Sequence, residues 1–258
     1  MFPLLRAEAI MLFGEIKGYK FNYIFYNLGV IVFFTGFIYN FNYQNSGLHY
    51  IFGLLYWHSF MSTIEYISNL IQDEAMMGTL EQLFMQQSSF YKIMIAKICI
   101  NMIYTAINST ILLCLTILSL RFLGFVLYMP LLNNFFGITF IFILFMFLII
   151  TGYTIGFFFG GFSLYFKKAG AFLRVLSNIL LFFTGVINVN KYNNFIHYLT
   201  PLSPLSDITN KLLDGEYNTI LYSIFLFTLI CCIYIFVSIL TFWLFVKKAK
   251  QNGLLAQY

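Results

Sequence analysis

Gln72–Lys92, QDEAMMGTLEQLFMQQSSFYK, is a polar island between two apolar runs, Leu48–Leu70 (LHYIFGLLYWHSFMSTIEYISNL) and Ile93–Leu120. Three of the nine Asp and Glu residues of the 258-residue chain lie in it: Asp73, Glu74 and Glu81. The flanking runs are each long enough to cross a bilayer, which takes about 20 mostly apolar residues. The island is therefore expected to be a short loop at a membrane surface. A loop there that is helical and rich in specific polar groups points to docking on a partner.

Outward from the island the chain keeps its apolar character. It is 61% hydrophobic and 21% aromatic but only 9% charged, whereas a soluble domain carries about 25% charged residues. That is too little charge to cover a water-facing surface, which excludes a soluble globular class. Six runs have the length and composition of spans: Phe21–Phe41, Leu48–Leu70, Ile93–Leu120, Phe135–Phe162, Ala171–Ile187 and Ile220–Val246. The expected fold is an all-α membrane protein with six transmembrane helices. Residues 21–250 form one transmembrane domain, 1–20 precede it, and 251–258 are a cytosolic tail.

Basic residues set the orientation. With the N-terminus inside, Arg6, Lys17, Lys20, Lys92, Lys97, Lys167, Lys168, Arg174, Lys247, Lys248 and Lys250 fall on or near the cytoplasmic side. Arg121, Lys191 and Lys211 fall outside. Eleven against three is a clear positive-inside bias. It places both termini in the cytoplasm of a multi-pass protein of the bacterial cytoplasmic membrane. The net charge of +5 reflects this bias and does not argue for nucleic acid. No cleavable signal peptide is evident, since Glu8 and Glu15 interrupt the first twenty residues. Cys99, Cys114, Cys231 and Cys232 all sit in expected spans without metal-like spacing and read as small packing residues. No metal site is expected.

Two further segments stand out. In residues 3–20, Leu5, Ala9, Leu12, Phe13 and Ile16 recur at helical spacing while the charged residues lie mostly elsewhere. That predicts an amphipathic helix lying at the cytosolic interface. The segment 188–219 carries Pro201 and Pro204, then Asp207 and Lys211 at i,i+4, then Asp214-Gly215 as a stop. It reads as short helices broken at the prolines that dip into the outer leaflet ahead of span six.

Within the island, Gly78 is placed to end one helix and Thr79 to begin another. Thr79-Leu-Glu-Gln82 fits a capping box, in which the Thr79 hydroxyl accepts from the Gln82 N–H and Gln82 reaches back. Glu81 in the first turn suits the helix dipole. Leu80, Leu83 and Phe84 then share a face that must pack on something.

The run Glu74–Phe84, EAMMGTLEQLF, strongly resembles the loop between spans two and three of ABC-2 type permeases, where the pattern is approximately E-x-x-x-G-T-L-E-Q-L. Gln86, Gln87, Ser88, Ser89 and Lys97 echo the small polar residues and the lysine that follow, without the proline often found there. Gly160–Phe172, GGFSLYFKKAGAF, looks like the family's link between spans four and five. Tyr198–Ser206, YLTPLSPLS, looks like its motif before span six, with Ser203 in place of the usual Asn. The resemblance covers nearly the whole chain in order, and it implies a type V exporter-like architecture. The loop at 72–92 would hold a coupling helix seated in a groove of a cytosolic ABC ATPase, with Glu74, Gly78, Thr79, Leu80, Glu81, Gln82, Leu83 and Phe84 as the ATPase-coupling residues. Two ATPase copies would bind ATP and Mg. This chain carries no G-x-x-x-x-G-K-[ST] loop and on this reading needs no cofactor of its own. It would pair with a second permease chain, identical or paralogous, among membrane lipids. The cargo implied is amphipathic or lipophilic: an antibiotic, a drug, or a membrane-active peptide of the phenol-soluble-modulin kind.

Other residues compete for a role. His58, Ser62, Glu65 and Asn69 share one face of span two, and an ionisable residue inside a membrane is a candidate by default. They read either as a substrate pathway or as a structural hydrogen-bond network. Gly152, Gly156 and Gly160 recur every four residues, which permits close helix packing. Sodium export, lipid-linked glycan export and a non-ABC ion channel are the alternatives for function, with Glu65 the one candidate buried charge. An intramembrane enzyme would need paired carboxylates, a His cluster or a Ser/Lys pair at one depth, and none is visible in the sequence.

Overall fold

The protein is described by a computed structural model that covers residues 1–40, 47–79, 82, 90–125, 135–166, 170–183, 200–215 and 219–251. The described residues form eight helices: α1 (Phe2–Gly18), α2 (Lys20–Asn40), α3 (Gly47–Met76), α4 (Phe90–Phe122), α5 (Phe135–Phe166), α6 (Gly170–Phe183), α7 (Leu202–Asp214) and α8 (Ile220–Gln251). None of them is in a strand. The chain divides into two compact units, Met1–Ile51 with Gln86–Met129 and Phe52–Met85 with Pro130–Tyr258.

Four helices are long and apolar enough to cross a membrane: Lys20–Asn40, Phe90–Phe122, Phe136–Ser163 and Ile220–Ala249. They coincide with the first, third, fourth and sixth expected runs. The helices α4, α5 and α8 have 33, 32 and 32 residues. At about 1.5 Å per residue they outreach a hydrocarbon core about 30 Å thick. The second run forms α3, which is 30 residues long but too polar to join those four. Its face bearing Ile64, Ile67, Ile71 and Ala75 is no more than 1% exposed. That stripe at spacings of three and four carries the helix on to Met76, five residues into the island, where the sequence reading stopped the span at Leu70. The fifth run forms α6, only 14 residues and about 21 Å long. The rest of that run, 184–187, lies outside the described residues.

In the first unit, α2 and α4 run in the same direction. Tyr23 meets Tyr104 edge-on at 6.1 Å. One turn on, Asn27 and Asn108 exchange side-chain amide hydrogen bonds of 3.0 and 3.3 Å. Tyr39 meets Phe125 at 6.0 Å. Numbers rise together on both sides of this seam. The helix α1 packs on α4 and α2, with Leu5, Ala9, Leu12 and Ile16 half-buried. Phe13, expected on that face, is exposed together with Phe2, Ile10 and Met11. The N-terminal helix is therefore apolar on both sides rather than cleanly amphipathic.

In the second unit, α5 runs parallel to both α3 and α8. Against α8, Phe147 meets Phe227 at 6.0 Å, Phe157 meets Phe242 at 5.0 Å, and Phe158 meets Phe245 at 6.3 Å. Against α3, Gly152 lies on Phe60 and Thr63, Gly156 on Ile64 and Ile67, and Gly160 on Ile71. The helix α6 runs antiparallel to α3. Trp57 Nε1 donates to the Ser177 carbonyl at 2.9 Å, and further along α3 Glu65 interacts electrostatically with Arg174, earlier on α6.

The helix α7 packs against α8 and α5. It corrects the expected break at Pro204. Pro201 is the N-cap of α7, and Pro204 sits in the first turn, where the missing N–H has no intrahelical partner to lose. One helix therefore runs through Pro204, while the residues before Thr200 that a break at Pro201 would separate lie outside the described residues. It stops at Gly215, which has φ +78 and whose N–H bonds the Lys211 carbonyl. Of the expected external segment, 188–199 and 216–218 lie outside the described residues.

Candidate functional site

The end of α3 is built by three backbone bonds. Met77 N–H donates to Asp73 O at 2.9 Å, Gly78 N–H to Ala75 O at 3.1 Å, and Thr79 N–H to Glu74 O at 3.1 Å. Gly78 has φ +70. The crossed pair of bonds around a left-handed residue is a Schellman motif, which satisfies carbonyls the helix end would otherwise leave open. A side-chain bond doubles it: Thr79 Oγ1 donates to Glu74 Oε2 at 2.5 Å and lies 3.1 Å from Glu74 O. The hydroxyl of Thr79 thus donates back across Gly78 to the helix just ended. The capping-box expectation concerns the same oxygen as an acceptor from the Gln82 N–H, across residues 80 and 81, which lie outside the described residues. Gln82 is helical and exposed. Leu80, Glu81, Leu83 and Phe84 lie outside the described residues. Met76 and Met77, at the turn, are 54% and 75% exposed.

The polar stripe of α3 is flanked by α6. Trp57, next to His58, bonds the Ser177 carbonyl, and Glu65 within the stripe feels the charge of Arg174. His58, Ser62 and Glu65 are half-buried and Asn69 is exposed. Ser62 gives its proton to the Ser59 carbonyl at 2.8 Å, a bond within its own helix. Glu65 and Arg174 form no direct salt bridge. The stripe is thus a seam between two helices, with its carboxylate facing a guanidinium at a distance.

Gly152, Gly156 and Gly160 occupy the α5 face against α3. A Cβ at Gly156 would fall 2.8 Å from Ile67 Cβ and 3.0 Å from the Ile64 carbonyl oxygen. One at Gly152 would collide with Thr63 Oγ1, which is fixed by its 2.7 Å bond to Phe60 O. One at Gly160 would meet Ile71. Among the described residues, no three His, Cys, Asp or Glu side chains gather where they could hold a metal ion.

No family model matches this chain, and no curated protein matches it.

One cluster was only partly visible in the sequence. Lys211 Nζ donates to Asp207 Oδ2 at 2.8 Å and to Ser223 Oγ at 2.9 Å, and Ser223 Oγ donates to Asp207 Oδ2 at 2.6 Å. The spacing of Asp207 and Lys211 was visible. Ser223, across the Gly215 turn, looked like any serine of an apolar run. A Ser/Lys pair therefore exists where none was expected, with both side chains bonded to the same carboxylate.

Proposed function

We propose that this chain is the transmembrane permease subunit of an ATP-driven exporter of the ABC-2 kind, moving amphipathic or lipophilic cargo out of the cell. The energy comes from a separate cytosolic ATPase seated on the segment after Gly78. The observation that carries this is the end of α3. The motif E-x-x-x-G-T has a physical meaning there: Glu74 and Thr79 close on each other around left-handed Gly78. That clasp fixes the direction in which the chain leaves α3 at Thr79. Exposed Met76 and Met77 add flexible apolar contact beside it.

Six crossings are supported by helix direction. The helices α2 and α4 are parallel, as the Tyr23–Tyr104 and Asn27–Asn108 contacts require. Two parallel spans need a return crossing between them. Among the described residues of that interval the long helix is α3, about 45 Å long at 1.5 Å per residue. Its polar side chains suit an inner span, because Ser59, Thr63 and Ser68 are buried in protein and away from lipid. The same parity holds for α5 and α8, so the chain returns once between them. In this proposal α6, antiparallel to α3, makes that return. Both termini are cytoplasmic in this proposal, as the positive-inside bias of the sequence implies. Two such chains, identical or paralogous, would enclose the pathway. The cargo class, an antibiotic, drug or membrane-active peptide, follows from the resemblance alone.

A photo-crosslinking residue placed at Gln82 in intact cells tests the docking role. The expected product joins this chain to a nucleotide-binding ATPase. Crosslinks to lipid alone would count against the proposal.

A further inference from the structure

We infer that the open polar face shared by α3 and α6 is where a second copy of this chain packs, with Glu65 of each copy paired to Arg174 of the other. Glu65 lies between Ile64 and Ile67, the two α3 residues that touch Gly156 of α5. Gly156 stands about 10 Å short of Ser163, the end of its span, at about 1.5 Å per residue, and Glu65 has a similar depth. Lipid offers no hydrogen-bond partner there, so a charge is kept only against protein or water. Arg174 acts on Glu65 from α6. Among the described residues, neither side chain has a hydrogen bond or a direct ion pair. Nor does the chain close over them. Glu65 is half-buried and Arg174 exposed, and about one turn along each helix Asn69 and Asn178 are exposed as well. The neighbouring faces of α3 are already used, Ile64, Ile67 and Ile71 by α5 and Trp57 by Ser177.

An acid and a base side by side on one open face are complementary to a copy of themselves. A two-fold axis sets the same patch against its copy, so that residue i meets j and j meets i. Glu65 then meets the partner's Arg174, Arg174 meets the partner's Glu65, and the four charges alternate in sign. The amides of Asn69 and Asn178 add groups of the kind that hydrogen-bond between helices in a membrane. A lipid tail matches none of these groups. A metal ion fits poorly, since the guanidinium repels it and no third His, Cys, Asp or Glu gathers there among the described residues. The inference deepens the pairing of two chains proposed above by naming the face that pairs. Its test reads association of the two copies alone, so it fails or holds separately from ATPase docking.

The test co-expresses two full-length copies with different tags in native membranes and measures how much of one is recovered by capturing the other in mild detergent. One copy carries Glu65→Arg and the other Arg174→Glu. Within each copy the two positions then bear like charges, while every contact across the pair is again between opposite charges. Two copies that both carry Glu65→Arg, or both carry Arg174→Glu, are expected to be recovered together about tenfold less than the native pair. The mixed pair is expected to return to near the native level. Equal recovery of native and like-charged pairs would overturn the inference, and so would a mixed pair recovered no better than the like-charged ones. A second measurement avoids like charges altogether. One copy carries Glu65→Cys and the other Arg174→Cys, in chains whose exposed Cys99, Cys114 and Cys232 are replaced by alanine. This pair keeps one Glu65–Arg174 contact and puts two thiols at the other. Oxidation in intact membranes is expected to link position 65 of one tagged copy to position 174 of the other, as read by mass spectrometry of the joined peptides. Absence of that link would give the face to cargo or lipid and overturn the inference.

Discussion

Gly78 turns the chain out of α3 with φ +70, and no atom lies within 4 Å of where its Cβ would stand. Any penalty for a side chain there comes from the backbone and not from crowding. Gly78→Ala should therefore cost about 1–2 kcal/mol, and Gly78→Asn less, since Asn tolerates the left-handed region better. Thermal unfolding of the detergent-solubilised protein measures both. Equal losses for Ala and Asn would mean the turn relaxes out of the left-handed region. At this scale the sequence was legible where a residue acts through its own backbone: Gly78 and Gly215 were readable as stops from type and context. It was not legible where a side chain chooses among partners. The bond from the Thr79 hydroxyl to Glu74 depends on a turn geometry that composition does not encode. The reciprocal bond between Asn27 and Asn108 joins residues far apart in the chain, and no local pattern marks it.

Between elements, the contact of α5 with α3 depends on glycine at three successive turns. Gly156 is the tightest in backbone terms, with Ile67 Cβ and the Ile64 carbonyl both inside normal contact distance of an added Cβ. Neither can swing aside without moving α3. Gly156→Ala should destabilise by about 1–3 kcal/mol, the usual range for overpacking. Gly29→Ala on α2, where nothing lies within 4 Å, should be neutral or stabilise by up to about 1 kcal/mol, because alanine is the better helix former. Comparing the midpoints of thermal unfolding of the two variants checks both. A neutral Gly156→Ala would mean the two helices are not in contact in the membrane. The four-residue glycine spacing was readable, because it depends only on helix periodicity. The ends of α3 and α6 were not. The helix α3 outlasts its apolar run because Ile71 and Ala75 continue the buried face, and burial is decided by neighbours. Pro204 misled for a related reason: a proline favours a helix start as strongly as a break, and position within the first turn decides which.

For the whole molecule, membrane character followed from composition, since 9% charged residues cannot clothe a soluble surface. Four helices meet the requirement for spans on their own. The crossings by α3 and α6 rest on the directions of their neighbours, which hydropathy does not report, because an inner helix is free to be polar on the faces that protein covers. The account makes the segment beyond Gly78 the point where ATP-driven motion of a partner enters the membrane helices. Its most direct test is to purify the tagged chain from its native membrane in mild detergent and identify what stays bound in stoichiometric amount. The account predicts an ATPase with a phosphate-binding loop, retained by the native chain and lost when Glu81→Ala and Leu83→Ala are combined, with membrane insertion unchanged. An absence of any ATPase under several gentle extraction conditions, or its undiminished recovery with the double variant, would contradict it.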